Sequence, residues 1–276
     1  GLVACEGLTA ASTAVEMLGR LHCDIFSQEK LLLNRVPLRL KLIRSPDRFS
    51  LMAPGNNPDF KVAILEARMY VRRVDISPSV FTAHQKALAI GPAKYPIKRV
   101  VCKYFSIPQF NIATNQENLF SGQMPTKIIV GMVDTEAFNG SYKKNPFNFQ
   151  HFNVSQVALS VPGFKEPLKP LTPRFPDQSI LSYLSLLLGT NKWGRDEGIG
   201  IDRTEFGRGY TLFAWDLSPD LSEGGDHFQL KRNTSVRLEL KFRTPLARPV
   251  NVIVYAEFEN MIMIDSDRSV TSNFTG

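Results

Sequence analysis

The stretch Ser235-Val236-Arg237-Leu238-Glu239-Leu240-Lys241-Phe242, followed after a Pro-marked turn by Val250-Asn251-Val252-Ile253-Val254-Tyr255-Ala256-Glu257-Phe258, decides the fold class. In the first run Val236, Leu238, Leu240 and Phe242 alternate with Arg237, Glu239 and Lys241. One face therefore enters a core and the other meets solvent or a partner. The second run alternates too, but Ile253 and Tyr255 make its other face apolar, which predicts a strand covered on both sides.

The same pattern stands near the other end of the chain. Val36-Pro37-Leu38-Arg39-Leu40-Lys41-Leu42 is followed by a turn over residues 53–59 and a second long run over residues 60–74. With Val36 set against Val236 and Lys41 against Lys241, the two strand pairs fit a duplicated sandwich domain. Coincidental alternation in a strand-rich chain is the other reading.

Between these ends, apolar alternation predicts strands over residues 95–107, 127–133, 152–161 and 210–217. A helix is expected over residues 79–88, with Val80, Ala83, Ala87 and Leu88 on one face as a bridge or cap, stopped by Gly91-Pro92. A second is expected over residues 179–188, packed through Ile180, Leu181, Leu184 and Leu187 or Leu188 and ending at Gly189. Ser218 to Gly225 reads as a turn.

Composition agrees with an all-β sandwich. Eighteen Pro and eighteen Gly punctuate turns, nineteen Phe supply packing between sheets, and 43% hydrophobic residues exclude general disorder. The formal charge of +7, from 33 basic and 26 acidic residues, favours contact with acidic surfaces, yet no run of five or six basic residues exists. Cys5, Cys23 and Cys102 are too few and too scattered for a disulfide framework or a four-ligand zinc site, so reduced thiols are expected. No stretch of about 18 apolar residues is long enough for a membrane-spanning helix. Residues 1–18 have neither an initiating Met nor a basic leader, which suggests a chain that begins within a longer product.

No catalytic spacing stands out. His22, His84, His151 and His227 form no His-x-His or His-x-x-x-His pair, and neither a phosphate loop nor a nucleophile elbow is present. Asp196, Glu197, Asp202 and Glu205 are dense enough for an acid and base pair only if a loop folds them together. What does stand out is aromatic loops. Phe138, Tyr142, Phe147 and Phe149 lie in a polar stretch and Trp193 beside Gly194, more aromatic surface than a monomer usually exposes. These five are the candidate intersubunit contacts, with Lys143, Lys144 and Arg195 as a polar rim. No catalytic, cofactor-binding or metal-ligating residues are assigned, and no cofactor is expected.

Asp134-Thr135-Glu136-Ala137-Phe138-Asn139-Gly140-Ser141-Tyr142-Lys143-Lys144-Asn145-Pro146-Phe147-Asn148-Phe149, Gly209-Tyr210-Thr211-Leu212-Phe213-Ala214-Trp215-Asp216-Leu217-Ser218-Pro219-Asp220 and Tyr255-Ala256-Glu257-Phe258-Glu259-Asn260 carry a resemblance. Over residues 36–265 the chain resembles the double jelly-roll major capsid proteins of Polinton or Maverick elements and related adintovirus-like viruses. The resemblance implies an all-β jelly-roll β-sandwich, with the end of a first jelly roll and a connecting helix over residues 1–90. A complete second roll would follow over residues 91–265, then a polar tail over residues 266–276. It further implies a non-enzymatic structural protein that forms homotrimers, meets neighbouring capsomers and penton or minor capsid proteins, and touches packaged DNA without reading bases. Its place would be the virion capsid, reached from the host nucleus or cytoplasm during assembly. A β-sandwich glycan-recognition module, with Trp193 or Trp215 stacked on a sugar, is the alternative.

Overall fold

The computed structural model describes residues 7–53, 59–162, 168–194, 196–218, 221 and 233–272. Most of the turns expected at residues 53–59 and 218–225, together with Cys5, Arg195 and His227, lie outside the described residues. Eight strands follow in chain order: β1 (Ala93–Ile107), β2 (Ala113–Gln123), β3 (Lys127–Asp134), β4 (Val154–Ser160), β5 (Leu212–Asp216), β6 (Asn233–Phe242), β7 (Val250–Ile264) and β8 (Val270–Ser272). Among the described residues are five α-helices, α1 (Asp47–Ser50) and α2 (Pro78–Ile90) ahead of the strands, then α3 (Thr135–Asn139), α4 (Ile180–Gly189) and α5 (Arg203–Phe206) between them, besides two 3-10 turns at Ala10–Ser12 and Asp24–Phe26.

The strands form two antiparallel sheets. One has the order β1-β7-β3-β5, with β8 paired to the end of β7, and the other has the order β2-β6-β4. From β1 to β7 the chain therefore changes sheet at every step, which is jelly-roll connectivity. Leu171 extends the second sheet by exchanging both backbone hydrogen bonds with Val157 of β4, at 2.8 and 2.9 Å.

The opening stretch supplies the core from both sides. Val236, Leu238, Leu240 and Phe242 of β6 and Val250, Val252, Val254, Ala256 and Phe258 of β7 belong to one buried cluster with Ile128, Val130, Met132 and Phe213. The two runs do not pair with each other, since the Pro-marked connection carries the chain from one sheet to the other. β7 lies between β1 and β3, and Ile253 and Tyr255 on its other face are half-buried. Tyr255 and Glu257 on that face bond to each other, and Lys127 pairs with Glu257 at 3.2 Å.

Pro96 sits in β1, an edge strand, where its missing N–H breaks no ladder in the sheet interior. A strap from the amino-terminal segment covers that edge. The Lys98 amide donates to Asp24 Oδ2 at 2.8 Å, Gln28 Nε2 donates to the Pro96 carbonyl at 2.7 Å, and the Tyr95 hydroxyl donates to the Leu31 carbonyl. Covering an edge in this way removes a template for unwanted strand pairing.

Several expectations fail, each for a physical reason. Residues 36–43 and 60–74 form no strands. A strand needs a neighbour for its backbone groups, and no described strand pairs with either run. Leu38, Leu42, Ile64, Leu65 and Tyr70 are exposed, Leu65 to 81% and Tyr70 to 80%. In α2 three of the residues expected to pack, Val80, Ala83 and Ala87, are exposed, and only Leu88 of that set is buried as expected. In α4 the buried residues are Ser182, Leu186 and Gly189; of those expected to pack, Leu184 and Leu187 are half-buried, whereas Ile180, Leu181 and Leu188 face out. The expected tail contributes a three-residue strand to β7.

Candidate assembly surface

The loop after β3 is organised by charge. Asp134 caps α3 by accepting the Glu136 amide at 2.8 Å, and its other oxygen takes Lys144 at 3.0 Å and Arg248 at 2.9 Å. Lys144 also pairs with Glu136, so it is held inside the loop rather than free at a rim. Burial alone would raise the Asp134 pKa, but the Lys144 bond, the Glu136 amide and the Arg248 charge together hold it below the ordinary aspartate value.

A depressed native pKa means that Asp134 stabilises the fold above its unfolded value and loses that contribution as pH falls through the native one. Asp134→Asn should therefore lower the unfolding midpoint at pH 7, and the difference from the parent should shrink towards zero as the pH is taken below the aspartate range. Thermal scans of both proteins across that range check the sign. A gap that widens in acid would contradict it.

On this frame the five candidate aromatics separate into two groups. Phe138 is half-buried, 4.7 Å from the Tyr104 ring of β1. Tyr142 is half-buried, donates its hydroxyl to the Phe60 carbonyl at 2.7 Å and lies 6.0 Å from the Arg48 guanidinium. Phe149 rests where β3 has Gly131, and a Cβ built there would meet its ring at 2.7 Å. Phe147 is 61% exposed despite an edge contact with Phe49, and Trp193 is 60% exposed. This chain thus covers three of the rings in part and leaves two in solvent.

Phe49, Arg48, Phe60 and Tyr104 are partners that sequence reading missed. They come from residues far away in the chain, and alternation carries no signal for such contacts. The connection is local and specific: the Ala53 amide donates to the Tyr142 carbonyl at 2.9 Å, while Asp47 pairs with Arg44 and accepts the Val62 amide at 3.0 Å. The unpaired amino-terminal runs are therefore tethered beside the aromatic loop.

Other sequence candidates take structural roles. Asp202 and Glu205 form a reciprocal capping box on α5, at 2.7 and 3.0 Å, so their oxygens are occupied by backbone amides. Trp215 is buried in the core and cannot stack on a sugar. A polar cleft of about 470 Å³ is lined in part by Asn148, Gln150, His151, Asn153 and Arg208. His151 stacks on Phe175 at 4.2 Å and accepts the Asn153 amide at Nδ1, while burial lowers its pKa. Among the described residues no group of three or more His, Cys, Asp or Glu is placed to hold a metal ion. None of the described helices is long and apolar enough to cross a membrane.

No protein-family model matches the chain. Over 264 residues it is 26% identical to the uncharacterized protein F54H12.2 of Caenorhabditis elegans, across 92% of this chain and 62% of that protein. The chain thus spans less than two thirds of the length of that relative. Among solved structures it is similar to the quasi-atomic model of the PBCV-1 virus capsid, with a TM-score of 0.40 and 11% identity over 71% of this chain and 55% of that one. PBCV-1 VP54 fitted into the virophage Sputnik gives a TM-score of 0.42 and 10% identity, again over 71% and 55%. The Sputnik virophage structure gives a TM-score of 0.42 and 11% identity over 66% of this chain and 39% of that one.

Proposed function

We propose that the chain is a structural, non-catalytic subunit of a viral or virus-derived capsid that assembles as a homotrimer and contacts neighbouring capsomers. The observation that carries this reading is the apolar surface beside the jelly roll. Two strand-patterned runs, residues 36–43 and 60–74, lie unpaired with large apolar side chains in solvent, next to the exposed Phe147 ring on Phe49. Large apolar side chains left in solvent in this way mark a face that meets another protein. The capsid-like motifs at residues 134–149 and 209–220 supply the partner class, and Polinton or Maverick elements and adintovirus-like viruses are the group they resemble.

In this reading residues 1–90 belong to a first jelly roll and its connecting helix, residues 91–265 are the second roll, and residues 266–276 are a polar tail. The two amino-terminal runs become strands when a β partner lies beside them. Phe147 and Trp193 pack into subunit seams, where rigid rings provide contact area at small entropy cost. Excess positive charge meets packaged DNA through phosphates, without base recognition. The place of action is the virion.

Native mass measurement tests the proposal. The parent should run as a trimer, and a Phe147→Ser, Trp193→Ser double variant should shift to monomer with an unchanged unfolding midpoint in the monomeric state. A persistent parent monomer that binds a glycan saturably would overturn the capsid reading in favour of a recognition module.

A further inference from the structure

The register of β1 on β7 brings two unsatisfied donors together on the inner face of the first sheet. Arg99 lies opposite Phe258 and Ile97 lies opposite Asn260, so Arg99 and Asn260 are diagonal neighbours on one face. Diagonal positions of this kind stand about 7–8 Å apart, within reach of a long side chain. Asn260 is only 2% exposed and its Nδ2 has no partner; the Arg99 Nε is buried and unpaired as well.

Both side chains are oriented by other contacts. Asn260 Oδ1 accepts the Met261 amide at 2.7 Å, which fixes that oxygen and leaves the amide nitrogen as the free end. The Arg99 guanidinium carbon lies 4.6 Å from the centre of the Phe258 ring. Glu257 and Glu259 are the nearest acids along β7, but they sit at the opposite parity and belong to its outer face. A neutral amide alone would be satisfied by water. A partly buried guanidinium on the same face, with a free Nε–H and, among the described residues of β7, acids only at the opposite parity, calls for an acceptor that carries negative charge.

We propose that Arg99 and Asn260 form a binding site for an oxyanion, a carboxylate or a phosphate, at the seam between edge strands β1 and β2. The guanidinium supplies charge and donors, and the amide supplies a further donor from the neighbouring strand. Arg99 is half-buried, so the site reaches solvent along the seam, where Phe120 of β2 packs edge-on against Phe258. This site stands apart from the five candidate assembly aromatics and does not depend on the capsid reading.

The test uses the full chain titrated with inorganic phosphate and, separately, acetate, with chloride holding ionic strength constant. The readouts are the side-chain N–H resonances of Arg99, identified by their loss in Arg99→Lys, and of Asn260, together with the unfolding midpoint. Saturable movement of both resonances is expected, with apparent affinity at least tenfold weaker in Asn260→Leu. A response to phosphate alone assigns a phosphate ligand. A response to acetate alone assigns a carboxylate, such as a partner's acidic side chain would deliver. No saturation with either anion, or an affinity unchanged in Asn260→Leu, overturns the proposal. The resonance titration of the parent protein decides the matter even if the variants fold poorly.

Discussion

Leu240→Asp is expected to lower the unfolding midpoint by more than about 10 °C, or to leave no soluble folded protein. Leu240 is 0% exposed and sits on β6, the middle strand of the second sheet, between Thr114 of β2 and Val157 of β4. The substitution removes a fully buried aliphatic side chain and puts a carboxylate in its place. Loss of the leucine alone costs about 2–5 kcal/mol, and an unpaired buried acid adds the cost of desolvation or of protonation. For a domain of this size each kcal/mol moves the midpoint by roughly 2–4 °C. Arg237→Ser on the outer face of the same strand is the control. Arg237 is exposed and 3.7 Å from Glu239, a surface pair whose loss costs at most about 1 kcal/mol. Thermal unfolding of both variants against the parent measures the contrast. A soluble Leu240→Asp protein with the parent midpoint would remove β6 from the core.

The same alternation that placed Leu240 made β1, β3, β4, β6 and β7 legible, because a half-buried strand writes its two faces into successive residues. Where that rule fails, the physical cause is visible. β2 reads Ala-Thr-Asn-Gln-Glu-Asn-Leu-Phe-Ser-Gly-Gln and carries no strand signal, because in this edge strand even the half-buried positions Thr114 and Gln116 are polar. A bulge between Gln116 and Phe120 also breaks its period and buries the adjacent residues Leu119 and Phe120 together. Residues 36–43 show the opposite failure. Their alternation is as clean as that of β6, but a pattern states only which face seeks cover, and no described strand lies alongside. Of the candidate surface, sequence located the aromatic loop. It carried no information on which rings Tyr104, Arg48, Phe49 and Phe60 approach, since those contacts join distant parts of the chain.

The orientation of α4 was misread for a reason that yields the second large effect. Counting leucines picks Ile180, Leu181, Leu184 and Leu187 or Leu188, of which Leu184 and Leu187 are half-buried and the others exposed, whereas the buried residues of the helix are Ser182, Leu186 and Gly189. Small residues let the helix lie close to the sheet, and that distance is set by backbone rather than by side-chain ends. A Cβ added at Gly189 would stand 2.6 Å from the Ala214 carbonyl carbon and 2.7 Å from its oxygen, in the middle of β5. Those atoms are held by the ladder between β3 and β5, so they cannot move aside without breaking strand pairing.

Gly189→Val should therefore push α4 off the sheet, cost about 3 kcal/mol or more and open the packing around Leu186. Gly131→Ala provides the comparison. Its Cβ would also come within 2.7–2.8 Å of neighbours, but these are the Phe149 ring and the Leu212 side-chain terminus, which can rotate away, and a cost near 1 kcal/mol is expected. Two consequences separate the variants. Gly189→Val should lower the unfolding midpoint by several degrees and speed hydrogen exchange in α4, because the helix loses its seat. Gly131→Ala should leave α4 exchange unchanged and alter only the surroundings of Phe149. Equal midpoints for the two variants would mean that α4 can relax away from β5 at little cost, and that its close approach through Gly189 does not hold it on the sandwich.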